Sequence, residues 1–502
     1  MKFSKATSVI GLASALALMG PVAAYAQETT SAIRGKIISA SGAPLTSASI
    51  VVTDSRTGVK RTYSTNSAGT FFASRLPVGG PYTVIVDGKN TITVDSISLG
   101  DTYKLSLDLS SIEEVVVTAE QVQGGDVAPG PSATFGAFEL ETSVAINRDI
   151  ADVYAMDPRM NIDSDDDGFS VNCGGKHPRF NSVTLDGVSQ NDRFGLNENG
   201  YSTAVGMPFP YDGISQVSVS LAPFDVTYGG FSACNINAVT KSGSNEWDGG
   251  AFYEHSSDDL KGDSLGDAAS AQTSPSYTEN KKGFHIGGPL IEDKLFFFAA
   301  YEESERPRFL QKGYAGSGNG VERDWLSQSD YQRIVDIAND VYDYDPGGQP
   351  SNGTQESEKY MVRVDWNINE NHNLAVIYNY FDGFQLRDSD GDSNEFEFAN
   401  HYYTKGSESE TFTMSLSSQW TDALSTEVFY STNEMNDSQV TVGDKDFGDM
   451  QISIGGRAGT VYLGADDSRQ ANALNTESKY FKFSAKYLVG EHLILQVLTA
   501  KS

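Results

Sequence analysis

Apolar and polar residues alternate over long stretches of the second half of the chain. Between Thr411 and Gln419 the odd-numbered positions are polar, whereas Phe412, Met414 and Leu416 are apolar. Residues 360–368 alternate in the same way. Alternation with a period of two predicts β-strands with one apolar and one polar face, which is the pattern of strands that cross a membrane in a barrel.

The connections between the predicted strands alternate in length. The tight connections lie at 292–294, 369–372, 421–423 and 490–491. The long polar connections lie at roughly 256–281, 305–357, 385–409 and 436–478. Short periplasmic turns and long outer loops are typical of outer-membrane barrels. We therefore predict a transmembrane antiparallel β-barrel over residues 244–502.

The strand count is too small for a closed barrel that encloses anything. The pattern gives about eight strands and the start of a ninth at Leu493. Bacterial barrels have an even strand number, and an eight-stranded barrel is filled by its own side chains. The chain ends on Thr-Ala-Lys-Ser at Ser502, without a terminal aromatic residue. We expect a partial, C-terminally truncated barrel.

The first 26 residues have the features of an export signal. Lys2 and Lys5 are followed by an apolar run and by Ala24-Tyr25-Ala26, a small-x-small cleavage site. We predict a signal peptide at 1–26, cleaved between Ala26 and Gln27. No later run is long and apolar enough for a transmembrane helix.

Residues 27–110 contain short predicted strands separated by Gly- and Pro-bearing turns, which indicates a small β-sandwich. The pattern G-x-I…G-x-P-L-x-x-A-x-I-x-V…G-x-F…L-P-x-G-x-x-Y-x-V resembles the carboxypeptidase regulatory-like domain. That resemblance implies a carbohydrate-binding-like fold. It does not imply peptidase chemistry, because none of the six histidines opens a zinc-binding pair.

A β-branched run follows within residues 111–125, a segment that we assign to a short strand and a linker. Its residues are Glu113, Glu114, Val115, Val116, Val117, Thr118 and Ala119. Such a run can add itself as a strand to a partner's sheet edge, or it can be an edge strand of the neighbouring sandwich. The run resembles the TonB box, which implies that it binds TonB.

Residues 126–243 carry the most specific motifs. They are Asn147-Arg148-Asp149-Ile150, Asp157-Pro158-Arg159, 179–188 (RFNSVTLDGV), 190–192, 194–197, 222–226, 229–231 and 236–243 (INAVTKSG). Taken in order, these motifs resemble the plug of Oar-like TonB-dependent receptors. The resemblance implies a mixed α/β plug domain over 126–243 and a barrel of 22 strands. The overall fold class is therefore mainly β.

The two cysteines, Cys173 and Cys234, both lie in the predicted plug, in stretches that are usually Gly-rich in that family. An oxidising periplasm favours a disulfide between them. The alternative is a pair of small buried thiols that never meet.

The formal charge of −31 argues against nucleic-acid binding, which requires clustered Lys and Arg. Acidic exported chains usually have soluble, salt-tolerant surfaces, and acidic outer loops can also hold divalent cations at a lipopolysaccharide surface. Abundant Tyr and Phe agree with the aromatic girdles of an outer-membrane barrel.

Three short motifs resemble catalytic or cation-binding motifs but lack the surrounding residues or elements that those motifs require. Gly262-Asp263-Ser264-Leu265-Gly266 matches a nucleophile elbow, but it lies in a polar loop rather than between a strand and a helix. Asp163, Asp165 and Asp167 begin a calcium loop whose twelfth position is Gly174 instead of Glu, so we favour a solvated turn. Asp388, Asp390 and Asp392 could form a weak cation site. We assign no catalytic residue, no metal site and no cofactor.

A helix is predicted from Ser329 to Tyr342, because apolar residues recur on one face. We interpret Ser329 and Gln332 as a capping box. The helix is expected to be a structural part of the second outer loop, and contact with a substrate is the alternative.

The leading hypothesis is a TonB-dependent receptor in the outer membrane of a Gram-negative bacterium, with its N-terminal domain in the periplasm. It would import an extracellular ligand through energised plug movement, and it would not be an enzyme. The expected partners are TonB with its inner-membrane energising complex, outer-membrane lipid and a ligand that could be an iron chelate, vitamin, glycan or peptide. The alternatives are a barrel-anchored adhesion or secretion component and an exported hydrolase built around Ser264.

Overall fold

The computed structural model describes residues 29–100, 102–108, 118–120, 132–165, 168–192, 194, 197, 199–203, 205–221, 229–260, 276–456, 458–469, 472–490 and 492–502. The signal peptide and its cleavage site lie outside these residues. Most of the described chain is β-strand, and the strands are numbered below in chain order. Within the described parts, no helix is long and apolar enough to cross a membrane.

The N-terminal domain is a β-sandwich of two four-stranded sheets, ordered β4-β1-β7-β8 and β3-β2-β5-β6. Its strands are β1 (Ser31–Ile38), β2 (Ser49–Asp54), β3 (Lys60–Ser64), β4 (Thr70–Leu76), β5 (Tyr82–Val86), β6 (Asn90–Val94), β7 (Thr102–Asp108) and β8 (Thr118–Glu120). Alternate residues of both sheets form one buried core that includes Ile33, Ile50 and Val84. This confirms the predicted sandwich.

The short strand β8 lies at the edge of the first sheet. It pairs antiparallel with β7, with Ala119 opposite Leu105 and Thr118 opposite Ser106. The last residues of the predicted TonB box therefore occupy an edge strand of the sandwich, as the alternative interpretation proposed. Residues 113–117 lie outside the described residues.

The central domain is built on a five-stranded mixed sheet, ordered β13-β12-β15-β14-β9, with a separate hairpin of β10 and β11. Its elements are β9 (Ser132–Phe135), α1 (Ala137–Thr142), α2 (Ile150–Tyr154), β10 (Met160–Asp165), β11 (Gly168–Cys173), β12 (Ser182–Leu185), β13 (Val188–Ser189), β14 (Ile214–Leu221) and β15 (Cys234–Thr240). Short 3-10 turns lie at Pro178–Phe180 and Tyr211–Gly213. The sheet and both helices enclose a core of their own.

A nine-stranded antiparallel sheet follows, in which every strand pairs with the next sheet strand in sequence. Its strands are β16 (Asp248–Ser257), β17 (Thr278–Ile291), β18 (Leu295–Arg308), β21 (Gly353–Asn369), β22 (His372–Arg387), β24 (Tyr403–Thr421), β25 (Leu424–Thr441), β28 (Asn472–Val489) and β29 (His492–Lys501). The count agrees with the predicted eight strands and the start of a ninth.

The two faces of this sheet differ as the alternation predicted. Phe412 is 37% exposed, whereas its neighbour Thr413 is 3% exposed because it faces the interior. On β21, Val362 and Trp366 point outward, and Met361 is buried. An apolar face of barrel-type strands is suited to contact with lipid, so we assign the outer face to the membrane.

All four predicted tight turns are present between consecutive strands. The long loops are shorter than predicted and span 258–277, 309–352, 388–402 and 442–471. The boundaries were wrong because the strands continue beyond the apolar band as polar, paired extensions, for example at Glu305 opposite Glu356. Hydrogen bonding between strands maintains these extensions where hydropathy gives no signal.

The long loops contain short elements, several of which pack together. They are a 3-10 turn at Asp258–Leu260, β19 (Lys312–Tyr314), β20 (Val321–Arg323), α3 (Gln328–Tyr342), β23 (Glu395–Glu397), a 3-10 turn at Ala399–His401, β26 (Met450–Ile454), β27 (Gly459–Leu463) and a 3-10 turn at Asp467–Arg469. A buried cluster, which we call the outer-loop cluster, joins Leu326, Tyr331, Phe396, Phe398 and Val461.

The predicted capping box of α3 was wrong by two residues. The N-cap is Ser327, whose hydroxyl oxygen accepts a hydrogen bond from the Asp330 backbone N–H at 3.1 Å. Ser327 has an extended backbone, so the helix begins at Gln328 and Ser329 is already inside it. Gln332 instead donates to the Asp336 carboxylate one turn later.

Candidate functional site

A disulfide joins Cys173 to Cys234 inside the central domain. Cys173 ends β11 and Cys234 begins β15, and both residues are fully buried. Their Cα atoms lie 5.9 Å apart, although the residues are separated by 61 positions. The bond therefore fastens the β10–β11 hairpin to the central sheet.

Arg148 joins the central domain to the first strands of the nine-stranded sheet. Its guanidinium lies 2.8 Å from Asp212 and 3.1 Å from Glu302 of β18. It also stacks over the Phe252 ring of β16, at 3.6 Å from the ring centroid. The Arg148 backbone has a φ of 51°, a left-handed conformation that is unfavourable for arginine and is held here by these contacts.

Glu302 is shared between the central domain and the sheet. Lys359 of β21 pairs with Oε1 of Glu302 at 3.2 Å, and the Tyr211 backbone N–H donates to Oε2, the oxygen that Arg148 contacts, at 3.3 Å. Three donors thus satisfy a carboxylate that is almost fully buried. Such a network is stable only while all of its members are present.

A second charged contact lies at the end of β15. The Arg363 guanidinium of β21 donates to the Thr240 hydroxyl at 2.9 Å and to its carbonyl oxygen at 3.1 Å. Asp186 lies 3.9 Å from Arg363 and accepts a hydrogen bond from the Thr240 hydroxyl at 2.8 Å. Burial raises the pKa of Asp186, and the nearby Arg363 charge and the Thr240 hydrogen bonds oppose that shift.

Asp149 is a buried residue that stabilises the central domain through hydrogen bonds. Its carboxylate caps α2 by accepting from the Ala151 backbone N–H at 2.8 Å, and it accepts from the buried Tyr201 hydroxyl at 2.7 Å. Burial raises the Asp149 pKa, and these two hydrogen bonds oppose the shift by stabilising the carboxylate.

We expect Arg148→Met to loosen the contact between the central domain and the sheet. Glu302 loses one of its three donors and Asp212 loses its ion pair, at a cost of about 1–3 kcal/mol. Hydrogen–deuterium exchange of the peptide containing Tyr211 should become roughly tenfold faster or more. Arg179→Met is the matched control, because Arg179 is exposed on the same domain. Equal exchange in both variants would contradict the assignment.

The N-terminal sandwich packs against the end of the sheet that carries the short turns. Asn66 donates to the Gly490 carbonyl oxygen at 2.8 Å, and Arg61 donates to Asn373. The Ser74 and Ser425 hydroxyls lie 2.7 Å apart in a buried contact. A cavity of about 470 Å³ remains between the sandwich, the central domain and the sheet.

A buried ion pair anchors this contact. Arg75 donates to the Glu427 carboxylate of β25 at 2.8 Å, and the two side chains are each 2% exposed. Lys482 of β28 pairs with the same carboxylate at 3.0 Å, and Arg75 also donates to the Ser484 hydroxyl at 2.7 Å. One carboxylate therefore pairs with two buried cations from different domains.

The other motifs singled out in the sequence do not assemble into one site. Ser264 lies outside the described residues. Asp163 lies on β10, opposite Ser170 of β11, so the predicted solvated turn is an antiparallel hairpin at that position. Asp388 pairs with Lys312 at 2.7 Å, whereas Asp390 faces His401 at 3.0 Å.

Sequence reasoning missed the charged residues that join the domains. Glu427 and Lys482 belong to no sequence motif, although both occupy the polar face of strands of the barrel sheet. A charged residue within a membrane segment is a signal of function or of a buried partner, and it could have identified both residues. The identity of the partner could not have been found in this way.

The chain matches two known protein families. Residues 32–128 match the carboxypeptidase regulatory-like domain, and residues 239–311 match an outer membrane beta barrel domain. The first match continues past residue 110 and includes β8. The TonB-dependent transporter Oar of Myxococcus xanthus is 23% identical over 404 residues, which are 76% of this chain and 36% of that protein.

Two solved structures are similar to part of this chain. The outer membrane transporter YddB from Escherichia coli aligns with a TM-score of 0.51 and 13% identity, over 76% of this chain and 49% of that one. The siderophore receptor PirA from Acinetobacter baumannii aligns with a TM-score of 0.44 and 13% identity, over 74% and 47% of the two chains. The YddB alignment shows a shared fold.

Together, the fold and the family matches define an outer-membrane β-barrel protein with an N-terminal carboxypeptidase regulatory-like domain. Within that class, the chain is a homologue of the TonB-dependent transporter Oar. This places it in the outer membrane of a Gram-negative bacterium. The chain spans about a third of the length of Oar and about half of the length of YddB.

Proposed function

We propose that this chain is a TonB-dependent receptor that binds an extracellular ligand and imports it when the central domain moves as a plug. The observation that carries the proposal is the nature of the plug's contacts. The plug has its own apolar core, and Arg148, Asp186 and Tyr211 fasten it to the sheet through ion pairs and hydrogen bonds. Polar contacts can be exchanged for water as the plug shifts, so movement need not expose the core.

TonB is proposed to bind the segment from Glu113 to Ala119 by strand addition. The support comes from β8, because this strand ends the sheet order β4-β1-β7-β8 and pairs on one side with β7. An edge strand presents backbone N–H and C=O groups to an incoming strand. Energy from the inner-membrane complex would then reach the plug through the linker that follows.

Deleting Glu113 to Ala119 should abolish binding of a purified periplasmic TonB domain to the full chain in detergent. The physical reason is that the deletion removes the backbone groups on which the second strand pairs. Deletion of residues 121–127 is a matched control, since it shortens the connection between β8 and β9 by the same number of residues. Calorimetric titration of both variants and of the wild type measures the difference.

Unchanged TonB affinity after the first deletion would overturn the TonB-coupled mechanism. Loss of binding in both deletions would instead indicate that linker length, and not the strand itself, is required. We expect TonB binding to be lost when residues 113–119 are deleted and to be kept when residues 121–127 are deleted.

We further propose a role for each segment of the chain. Residues 1–26 are an export signal removed between Ala26 and Gln27, residues 27–110 form a periplasmic sandwich, residues 126–243 form the plug, and residues 244–502 contribute to the barrel in contact with outer-membrane lipid. The ligand is proposed to bind at the outer loops and plug apex. Its class is open among iron chelates, vitamins, glycans and peptides. We assign this chain no catalytic role.

A further inference from the structure

A histidine and several carboxylates from two outer loops meet above the sheet. Asp390 and His401 belong to the loop between β22 and β24, and Asp466 belongs to the loop between β25 and β28. One ligand atom from each of these three residues lies within 4.8 Å of the others. Asp449, Asp466 and Asp467 satisfy the same limit, so Asp466 links the two groups.

The hydrogen bonding of His401 determines what its ring can bind. The side chain is fully buried, and its Nδ1 lies 2.9 Å from the Gly464 carbonyl oxygen. A carbonyl oxygen only accepts, so Nδ1 carries the proton. The Nε2 atom then faces an Asp390 carboxylate oxygen at 3.0 Å. A neutral imidazole would direct a lone pair at that oxygen, so a cation belongs between them, either a second proton or a metal ion.

A backbone carbonyl that fixes the Nδ1 proton is also the usual second partner of a metal-binding histidine. It orients the ring and leaves Nε2 as the ligand atom. The ring of Tyr462 packs against the His401 ring, with 5.3 Å between the ring centroids. His401 is therefore held in position before any ion arrives.

The His401 imidazole is the basic group beside Asp390 in the described part of the chain. Among the described residues, no lysine or arginine forms an ion pair with Asp390, Asp449, Asp466 or Asp467. Lys312, from the loop between β18 and β21, pairs instead with Asp388 at 2.7 Å and Glu397 at 3.4 Å. A buried oxygen of Asp449 has no hydrogen-bond partner within the described part of the chain. Asp466 is buried, Asp390 and Asp449 are partly buried, and Asp467 is exposed. Several carboxylates held this close together, with no lysine or arginine paired to them, favour binding of a cation.

Asp466 is held by serines from both loops. The Ser468 backbone N–H and hydroxyl donate to one oxygen at 2.7 and 2.6 Å, and the Ser389 hydroxyl donates to the other oxygen. The oxygen that accepts from Ser389 retains one lone-pair site for a metal, whereas the other oxygen already accepts two hydrogen bonds. Because Ser389 and Ser468 belong to different loops, the site lies where the two loops are already joined.

We propose that Asp390, His401 and Asp466 bind a first-row transition-metal dication such as Zn²⁺, with Asp449 supplying a further oxygen. An imidazole ligand selects this class, whereas Ca²⁺ and Mg²⁺ prefer oxygen ligands alone. Metal–ligand bonds of about 2.0–2.2 Å allow ligand atoms up to about 4.4 Å apart, so small side-chain movements suffice. The ion fastens the two loops that contribute Phe396 and Val461 to the outer-loop cluster.

The test is calorimetric titration of the full chain in detergent with Zn²⁺, after removal of metals with a chelator. We expect one Zn²⁺ per chain for the wild type and an affinity weaker by about tenfold or more in Asp390→Asn and Asp466→Asn. Asp392→Asn is the matched control, because it is an exposed carboxylate of the same loop and should bind Zn²⁺ as the wild type does.

Two further measurements separate metal binding from folding. Thermal unfolding with chelator present should be similar in the wild type and both Asn variants, and Zn²⁺ should raise the midpoint of the wild type only. Titration with Co²⁺ should give visible absorption bands that weaken in Asp390→Asn. The proposal is overturned if the wild type binds no Zn²⁺, which would leave only an imidazolium–carboxylate pair. It is also overturned if neither Asn variant loses affinity, or if equimolar Ca²⁺ displaces the Zn²⁺.

Discussion

Replacing Glu427 by Gln should release the N-terminal sandwich from the short-turn end of the barrel sheet. The substitution leaves Arg75 and Lys482 without their shared buried carboxylate. Removing one partner of a buried ion pair costs about 3–5 kcal/mol, because the remaining charge is uncompensated. The expected result is loss of the docked state.

Docking can be measured with a cysteine pair at Ser74 and Ser425, whose hydroxyls lie 2.7 Å apart. Ser74→Cys with Ser425→Cys should form a disulfide in the wild-type background and form it poorly when Glu427→Gln is added. Glu434→Gln on the same strand is the matched control, because Glu434 is exposed. An unchanged disulfide yield with Glu427→Gln would show that the ion pair does not hold the sandwich.

Substitution of Arg75 should reduce cross-linking less than substitution of Glu427 does. Arg75→Met leaves Glu427 paired with Lys482 at 3.0 Å, so no buried charge remains alone. We therefore expect a smaller loss of cross-linking than in Glu427→Gln. Equal losses in the two variants would argue that Lys482 contributes nothing to the network.

Breaking the Cys173–Cys234 disulfide is the second large effect. The bond closes a loop of 61 residues within the plug. The chain-entropy argument gives about 4 kcal/mol for a loop of this length, which corresponds to about a thousandfold change in an opening equilibrium. Amides of β15 should therefore exchange with solvent far faster in Cys173→Ala/Cys234→Ala than in the oxidised wild type.

Reduction of the wild type is the control for this experiment, since it breaks the bond without changing a side chain. The reduced wild type and the double variant should agree, and amides of β21 in the barrel sheet should be unaffected. If β15 keeps its protection in both, the disulfide is not what stabilises the plug against opening.

Much of the barrel sheet could be predicted because lipid imposes a rule that is local in sequence. The alternation at Thr411 to Gln419 fixed which side chains face outward, and the breaks at 369–372 and 421–423 fixed the turns. The outer ends of the strands were predicted too short, because there the strands are held by pairing and not by contact with lipid. The start of α3 was misplaced for a similar local reason, since Ser327 and Ser329 are both plausible caps.

The candidate metal site shows where such reasoning stops. Asp390 was noticed as part of an acidic run, but its partner His401 is a lone histidine, and Asp466 lies 76 positions further along the chain. Nothing local connects them. The parallel pairing of β23 with β27 brings the two loops together and sets their distance.

The sequence by itself determined the β-rich architecture, the order of sandwich, plug and barrel strands, and the resemblance to Oar-like receptors. These features depend on alternation, turn residues and motifs, which are properties of neighbouring positions. Only the tertiary structure decided that Arg75 meets Glu427 across 352 positions and that Arg148 joins the plug to β18. Contacts between domains depend on how the surfaces of the folded domains fit together. Patterns of neighbouring residues in the sequence do not describe that fit.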